Sequence, residues 1–261
     1  MKRRNFFKYA SFSSLSLGLP SLSLGKSSNP NASKEYYELR EFQVTNKANI
    51  PILDDYLKNA LIPALNKQGV KNIGVFHPME DAENLSIYLL IPFQNFKDAI
   101  SIMKKVEQDS EYQKNSKKYD QIGKDNMVVE RIQSSLLEAF DAIPKLKIPQ
   151  QKGDKLFELR IYESYNEDAG KRKVEMFNKE ELDLFYKIGF EPVFFGETIY
   201  GINKPNLTYM LVYENMEERK KEWKDFIDSP EWAVMKDKPE YAESVSKVTS
   251  IFLKPAPYSQ L

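Results

Sequence analysis

Cysteine is absent from this 261-residue chain, and histidine occurs only once, at His77. The absence of cysteine excludes disulfides, thiolate metal sites and thiol catalysis. A single imidazole also excludes metal sites and proton relays that need several histidines. Carboxylates alone can hold a hard cation, but the sequence has no Asp-rich loop for that purpose. The sequence therefore predicts no metal site.

Neither sign of charge is in excess, because Lys plus Arg and Asp plus Glu each number 38. A balanced chain has no global field that would attract nucleic acid or an anionic membrane. Residues 9–25 carry no charge, but they are too short and too polar for a transmembrane helix. We therefore expect no nucleic-acid partner and no transmembrane anchor in the mature chain.

The N-terminal segment has the composition of an export signal. Arg3-Arg4-Asn5-Phe6-Phe7-Lys8 resembles the twin-arginine pattern R-R-x-F-[LF]-K, and a mildly apolar stretch rich in Ser, Leu and Gly follows it. Residues 26–33 have the composition of a linker. We therefore expect residues 1–33 to be a signal peptide with its linker, and the folded protein to be exported to the bacterial periplasm. A disordered basic tail is the alternative.

Two similar heptamers indicate that the chain is a tandem repeat. Residues 36–42 read YYELREF and residues 156–162 read LFELRIY, and both alternate as strands do. A helix-like stripe follows each heptamer and ends at Gly69 or Gly189. These glycines stand 120 positions apart, as do Glu38 and Glu158. Such a shared spacing makes a chance resemblance between the heptamers untenable.

Each copy has the element order β-α-β-β-α-β, which is that of a ferredoxin-like unit. Pro63 predicts a kink near residue 62 in the first helix, and Asn95 and Asn215 are expected to cap the second helix of each copy. Helices cover only one face of such a sheet, so the other face must be buried elsewhere. We predict an α+β fold in which two tandem ferredoxin-like repeats, residues 34–146 and 156–261 joined by a linker at 147–155, pack sheet to sheet as an intrachain barrel.

The motifs of the second copy resemble those of the NIPSNAP family. They are FELRIY at 157–162, YMLVY at 209–213, WKDF at 223–226 and DSPEW at 228–232. The last is similar to the D-P-E-W motif of the family with Ser229 inserted, whereas the first copy has Tyr112 in place of the tryptophan. The resemblance implies a dimeric α+β barrel, a superfamily of small-ligand binders, quinol-type monooxygenases, haem-degrading enzymes and chlorite dismutases. It does not select a reaction among them.

Five residues of the heptamers are candidate site residues. Alternation places them on one strand face, and we expect that face to point into the space between the two sheets. One interpretation is a Glu–Arg network that fixes how the halves dock. The other is a ligand site in which Arg40 or Arg160 binds an anionic group between aromatic walls. The five residues are Glu38, Arg40, Glu158, Arg160 and Tyr162.

His77, which precedes Pro78 at the end of a strand, is the sixth candidate. It is interpreted either as a hydrogen-bonded structural residue or as a general base or haem ligand in the barrel mouth. The second copy has Glu197 or Thr198 near the matching place, so such a site would exist in one half only. We expect no cofactor, with haem as the alternative, and no catalytic residue can be named.

These observations predict an exported bacterial protein that binds a small-molecule ligand or a partner at its barrel. The alternative is an oxidoreductase of the α+β barrel type, either cofactor-independent or linked to haem, and a homo-oligomer is a further open possibility. A filled interior bridged by Glu–Arg pairs would favour the binding protein. An open apolar cavity beside His77, Arg40 or Arg160 would favour the enzyme.

Overall fold

The computed structural model describes residues 33–79, 85–150 and 155–261, so nearly all of the expected signal segment lies outside the described residues. The strands within these ranges are β1 (Tyr36–Val44), β2 (Gly74–Pro78), β3 (Ile87–Phe93), β4 (Val129–Ala139), β5 (Leu156–Glu163), β6 (Glu191–Tyr200), β7 (Asn206–Tyr213) and β8 (Lys247–Pro255). The helices are α1 (Ile50–Tyr56), α2 (Ile62–Lys67), α3 (Phe96–Glu107), α4 (Ser110–Asp120), α5 (Glu167–Met176), α6 (Leu182–Ile188), α7 (Met216–Ile227) and α8 (Pro230–Met235).

The strands form one closed antiparallel barrel in the order β1-β3-β2-β8-β5-β7-β6-β4. Strands β1 to β4 belong to the first half of the chain and β5 to β8 to the second. The two halves meet at two seams, where β2 pairs with β8 and β4 pairs with β6. The predicted α+β architecture with an intrachain barrel is confirmed. Edge pairing at the seams closes the barrel, so neither half leaves a free strand edge there.

Buried apolar residues form three clusters, two between the barrel and the helices and one inside the barrel. One cluster joins the first-half strands to α1, α2 and α3, and a second joins the second-half strands to α5, α6, α7 and α8. The third cluster fills the barrel with residues of both halves, among them Leu39, Leu90, Leu159 and Phe194. Leu261 belongs to this interior cluster and Leu146 packs against it. The interior is therefore apolar and occupied along most of its length.

The first helix of each half is interrupted by one turn of π-helix. These turns are Leu57–Leu61 between α1 and α2, and Phe177–Glu181 between α5 and α6. They lie 120 positions apart, but only the first is followed within two residues by a proline, Pro63. The predicted irregularity near residue 62 is present, but proline is not its cause, since the second half has the same turn without one.

Capping at the second helix of each half follows the sequence prediction. The side-chain oxygen of Asn95 accepts a hydrogen bond from the amide of Asp98 at 3.0 Å, and that of Asn215 accepts one from the amide of Glu218 at 2.9 Å. Each cap satisfies amide groups that have no partner within the helix. Among the described residues, no helix is both long enough and apolar enough to cross a bilayer.

Candidate functional site

The charged heptamer residues lie on the helix side of the sheet. Leu39 and Leu159, which alternate with them, fill the barrel interior, whereas Arg160 contacts Trp223 of α7. The closed barrel surrounds its interior with sheet and therefore takes apolar side chains, while the helix layer supplies donors that can satisfy a buried carboxylate. The prediction that they point between the sheets was wrong for all five residues, Glu38, Arg40, Glu158, Arg160 and Tyr162.

Glu158 is the centre of the buried polar cluster in the second half. Its side chain is fully buried and accepts hydrogen bonds from Arg160 at 2.5 Å and from Arg219 at 2.9 and 3.0 Å. The hydroxyls of Ser250 and Tyr213 donate at 2.7 and 3.1 Å, and the indole of Trp223 at 3.3 Å. We call this set, with Tyr162 and Tyr209, the Glu158 network.

The electrostatics of the Glu158 network keep its carboxylate charged. Burial by itself raises the pKa of Glu158, but the hydrogen bonds from Arg219 and the charge of Arg160 outweigh burial and lower the pKa to about 2. Burial lowers the pKa of Arg160, whereas the neighbouring oxygens of Tyr209, Tyr162 and Glu158 raise it above its ordinary value. Both partners are therefore ionised at neutral pH.

Arg160 extends the network to two tyrosines. Its guanidinium lies over the ring of Trp223, with 4.2 Å from Cζ to the ring centroid, and donates to the hydroxyl of Tyr162 at 3.0 and 3.3 Å. The hydroxyl of Tyr209 donates in turn to that of Tyr162 at 2.8 Å. This arrangement satisfies the buried hydroxyls and places the cation between an indole and a phenol.

A second buried charge pair lies beside these tyrosines. The ammonium group of Lys173, on α5, donates to Glu181 at 2.6 Å and lies 4.6 Å from the ring centroid of Phe177. Both charged side chains are almost completely buried. Burial raises the pKa of Glu181, against the opposing charge of Lys173. Glu181 belongs to the π-helical turn, which therefore delivers a carboxylate to the core of the second half.

Of the polar contacts of the second half, the first half has only the Glu–Arg pair and a serine that donates to it. Arg40 donates to Glu38 at 2.8 and 3.0 Å, and Ser134 donates to the same carboxylate at 3.0 Å. The strand registers match Arg40 with Arg160 and place Leu89 opposite Arg40 where Tyr209 stands opposite Arg160. Five other polar residues of the second half also have apolar counterparts 120 positions earlier. Lys173, Glu181, Tyr213, Arg219 and Trp223 correspond to Leu53, Leu61, Phe93, Ala99 and Met103, respectively. The fold therefore does not itself require these polar groups.

The contacts of the Glu158 network define what it can do chemically. Arg219 and Trp223 both belong to α7, so their bonds to Glu158 tie that helix to β5. Each oxygen of Glu158 already accepts several hydrogen bonds, and an anion beside Arg160 would lie close to this charged carboxylate. The geometry thus supports attachment of α7 to the sheet and does not favour an anion site at Arg160.

His77 lies apart from these clusters, on the helix side of β2. Its Nε2 is 3.1 Å from a carboxylate oxygen of Asp54 on α1, and the hydroxyl of Tyr258 donates to the same oxygen. About a quarter of the His77 side chain is exposed. Within the part of the chain that the structure describes, no group of three or more His, Asp or Glu side chains could hold a metal ion.

A small cavity opens at one end of the barrel, and we call it the mouth cavity. Its volume is about 60 Å³, which is room for roughly four to six water-sized groups. Both halves contribute to its lining, which consists of Leu39, Glu41, Tyr88, Gln133, Ser135, Leu159, Ile161, Ile202, Asn203, Asn206, Thr208 and Ile251. Neither the Glu–Arg pairs nor His77 lines it.

Glu41 is the charged residue of the mouth cavity. It follows Tyr37 and Leu39 on the inward face of β1, and its carboxylate accepts hydrogen bonds from Ser86 at 2.6 Å and Tyr88 at 3.3 Å. Glu41 is not among the charges that the two heptamers share, since Ile161 stands at the matching place, and it was therefore not predicted as a site residue. A single charge on an otherwise apolar strand face was the available signal.

The turn between β6 and β7 shapes one wall of the mouth cavity. At Gly201, where φ is +151°, a side chain would come within 2.3 Å of the Ser135 hydroxyl on β4. Glycine therefore lets this turn lie directly on β4. Ile202 and Asn203 follow in the same turn and line the cavity.

Comparison with protein families supports the sequence resemblance. Residues 157–260 match the model of the NIPSNAP family, which confirms the resemblance that the motifs of the second half indicated. None of the curated proteins compared with the sequence matches it.

Solved structures with a similar fold cover nearly the whole described chain. A candidate monooxygenase of Fusobacterium nucleatum has a TM-score of 0.58 at 11% identity, covering 85% of this chain and 93% of its own. A second candidate monooxygenase, from Lactobacillus acidophilus, has a TM-score of 0.54 at 15% identity, with coverages of 85% and 94%. An anthrone oxidase-like protein has a TM-score of 0.52 at 9% identity, with coverages of 85% and 92%. At these identities the likeness extends to the fold alone.

Proposed function

We propose that this protein, whose residues 157–260 match the NIPSNAP family model within an α+β barrel, binds a small ligand in the mouth of its barrel after export to the bacterial periplasm. The observation that carries this proposal is the mouth cavity. Its lining combines polar side chains with apolar ones, which is the usual composition of a ligand site.

The composition of the opposite end of the barrel supports the mouth as the location of the ligand site. There the interior cluster includes the C-terminal Leu261, and Leu146 packs against it. The mouth, by contrast, carries hydrogen-bonding groups from both halves, such as Gln133, Asn206 and Thr208. A ligand that enters at the mouth would therefore contact both repeats.

Native mass spectrometry of the protein purified from its own host tests the binding function. We expect a small molecule to accompany the wild-type protein and to be absent from Ile161→Phe, whose larger side chain fills the mouth cavity. Ile132→Phe is the matched control, because Ile132 is half exposed on β4 and does not line the cavity. An empty wild-type protein, or a ligand retained by Ile161→Phe, would overturn the proposal.

Export is the second part of the proposal and rests on the sequence of residues 1–33. Changing both Arg3 and Arg4 to Lys should prevent export, because the twin-arginine pair is the recognition element of that route. Cell fractionation with detection of the tagged protein measures the result. Normal export of the double variant would refute the twin-arginine interpretation, and Lys2→Arg serves as a control that leaves the pair intact.

An oxidoreductase is the second candidate function. It is supported by the buried ionisable groups of the second half, whose first-half counterparts are apolar, and by fold relatives named for monooxygenase and anthrone oxidase chemistry. The hydroxyls of Tyr162 and Tyr209, which are hydrogen-bonded beside the permanently charged Arg160, are the polar groups that such a reaction would use. His77 is held by Asp54 and lies away from the mouth cavity. These residues do not fit a haem site.

Oxygen uptake in the presence of anthrone tests the second candidate. Oxidation to anthraquinone consumes one O₂, of which one atom enters the new carbonyl and the other leaves as water with the two methylene hydrogens. If the candidate is right, Tyr162→Phe should slow uptake at least tenfold, whereas Tyr186→Phe, at a partly exposed tyrosine outside the network, should not. No uptake by the wild-type protein would remove anthrone oxidation from consideration.

A further inference from the structure

The charge distribution around the mouth cavity limits the kind of ligand that it can take. Resting on the ligand binding proposed above, we infer that the mouth cavity recognises a short aliphatic monoamine. The ammonium group of the ligand would lie against Glu41, and its alkyl chain against the isoleucines of the opposite wall.

Among the described residues, no cation balances the carboxylate of Glu41. It is the charged member of the cavity lining, and the described residues provide hydroxyl donors to it but no ion pair. Lys204, in the nearby turn between β6 and β7, donates to the carbonyl oxygen of Ile199 instead. The chain between Met79 and Ser86 contains acidic residues and neither Lys nor Arg. A ligand cation would therefore supply the missing charge.

The wall of the cavity that faces this carboxylate is apolar. Ile161 stands in β5 where Glu41 stands in β1, and Ile202 and Ile251 lie beside it in the lining. All three are partly exposed, so they present apolar surface that a ligand can cover. Contact with an alkyl chain would remove this surface from water, which favours binding. A purely polar cation such as ammonium would leave the wall uncovered.

The size of the cavity and the asymmetry of its two halves favour a small monoamine. A volume of about 60 Å³ accommodates roughly four to six water-sized groups, which matches the five non-hydrogen atoms of n-butylamine. The pseudo-symmetric repeat would place a second carboxylate opposite Glu41, but Ile161 occupies that position. A diamine would therefore bury its second charge against isoleucine, which is unfavourable. The cavity should prefer the monoamine.

Titration of the full-length protein with n-butylammonium chloride, followed by calorimetry or NMR shifts, tests this inference. The neutral n-butanol and the dication of 1,4-diaminobutane are the comparison ligands. We expect the monoamine to bind at least tenfold more tightly than either. Glu41→Gln, which keeps an acceptor for Ser86 and Tyr88, should reduce monoamine affinity at least tenfold. Glu130→Gln, on the exposed part of β4 and outside the cavity, should leave affinity unchanged.

A gain-of-function variant provides an independent measurement. Ile161→Glu creates the second carboxylate and should shift the preference towards 1,4-diaminobutane. Equal binding of butanol and butylammonium, or unchanged affinity in Glu41→Gln, would overturn the inference. If the host-purified protein instead contains a neutral or anionic molecule that Ile161→Phe expels, the mouth still binds a ligand and only the amine assignment is wrong. If nothing binds at all, the proposed function fails as well.

Discussion

At the scale of single residues, Glu158 shows how a buried charge is made tolerable. Two arginines, two hydroxyls and an indole donate to a carboxylate that has no contact with solvent. Removing a charged group from water is costly, and that cost is offset only when its hydrogen bonds are complete. The donors come from β5, β7, β8 and α7, so the stability of Glu158 depends on the whole second half.

The lowered pKa of Glu158 predicts a specific dependence of stability on pH. The folded-state pKa of about 2 lies below the ordinary value of 4.5, so the stabilisation is complete above pH 4.5 and is lost as the pH falls towards 2. A difference of this size corresponds to about 3 kcal/mol. Glu158→Gln should therefore lose roughly 3 kcal/mol at pH 7, and its difference from wild type should shrink towards pH 2.

Denaturant unfolding at pH 7, 4 and 2.5 measures this effect. Glu130→Gln, at an exposed position on β4, is the control and should follow the wild-type protein at every pH. A wild-type-to-Glu158→Gln difference that stays constant across this range would show that the charge of Glu158 is not what stabilises the fold.

At the scale of elements, α7 and α3 occupy equivalent places but attach to the sheet differently. Helix α7 carries Arg219 and Trp223, which bind Glu158, whereas α3 has Ala99 and Met103 at the matching positions. Apolar packing alone is therefore enough to hold such a helix, and hydrogen bonds add to it in the second half. Hydrogen bonds to a charged group contribute about 1.5–3 kcal/mol each.

Removal of the hydrogen bonds between Arg219 and Glu158 should lower the local stability of α7 selectively. Arg219→Ala leaves Glu158 with fewer donors and is expected to destabilise the protein by roughly 2 kcal/mol. Hydrogen exchange should become faster in α7 while α3 stays protected, because the change is confined to the second half. Lys220→Ala, at an exposed position of the same helix, controls for helix propensity. Equal acceleration in α3 and α7 would contradict a local attachment.

At the scale of the whole molecule, the two halves depend on each other through the closed barrel. Each half ends in strand edges that only the other half pairs, at β2 with β8 and at β4 with β6. The interior cluster likewise draws its members from both halves. An isolated half would expose an apolar sheet face and two open edges, and such surfaces promote aggregation.

Separate expression of the two halves tests this dependence. A chain divided between Ile148 and Lys155 should give halves that aggregate alone and re-associate when co-expressed. Size-exclusion chromatography with light scattering distinguishes these states from soluble monomers. Two well-behaved monomeric halves would show that the barrel is not needed to bury the sheets.

The sequence was sufficient to predict the repeat, the element order and the barrel. These features depend on hydrophobic periodicity, capping residues and repeat spacing, which are present in each local segment. The 120-residue spacing, the caps at Asn95 and Asn215 and the resemblance of the second half were all readable before the structure was known. The residues that share a strand face were also predicted correctly. Alternation determines that grouping directly.

Which face lies inside the barrel was decided only by the tertiary structure. Both faces of each sheet are covered, one by helices and the other by the opposite half, so a period of two does not distinguish them. Glu158 and Arg160 therefore belong to the helix layer, whereas Glu41 lines a cavity because β1 lies opposite β5. The mouth cavity exists because distant strands meet there, and no local segment of the sequence contains that information.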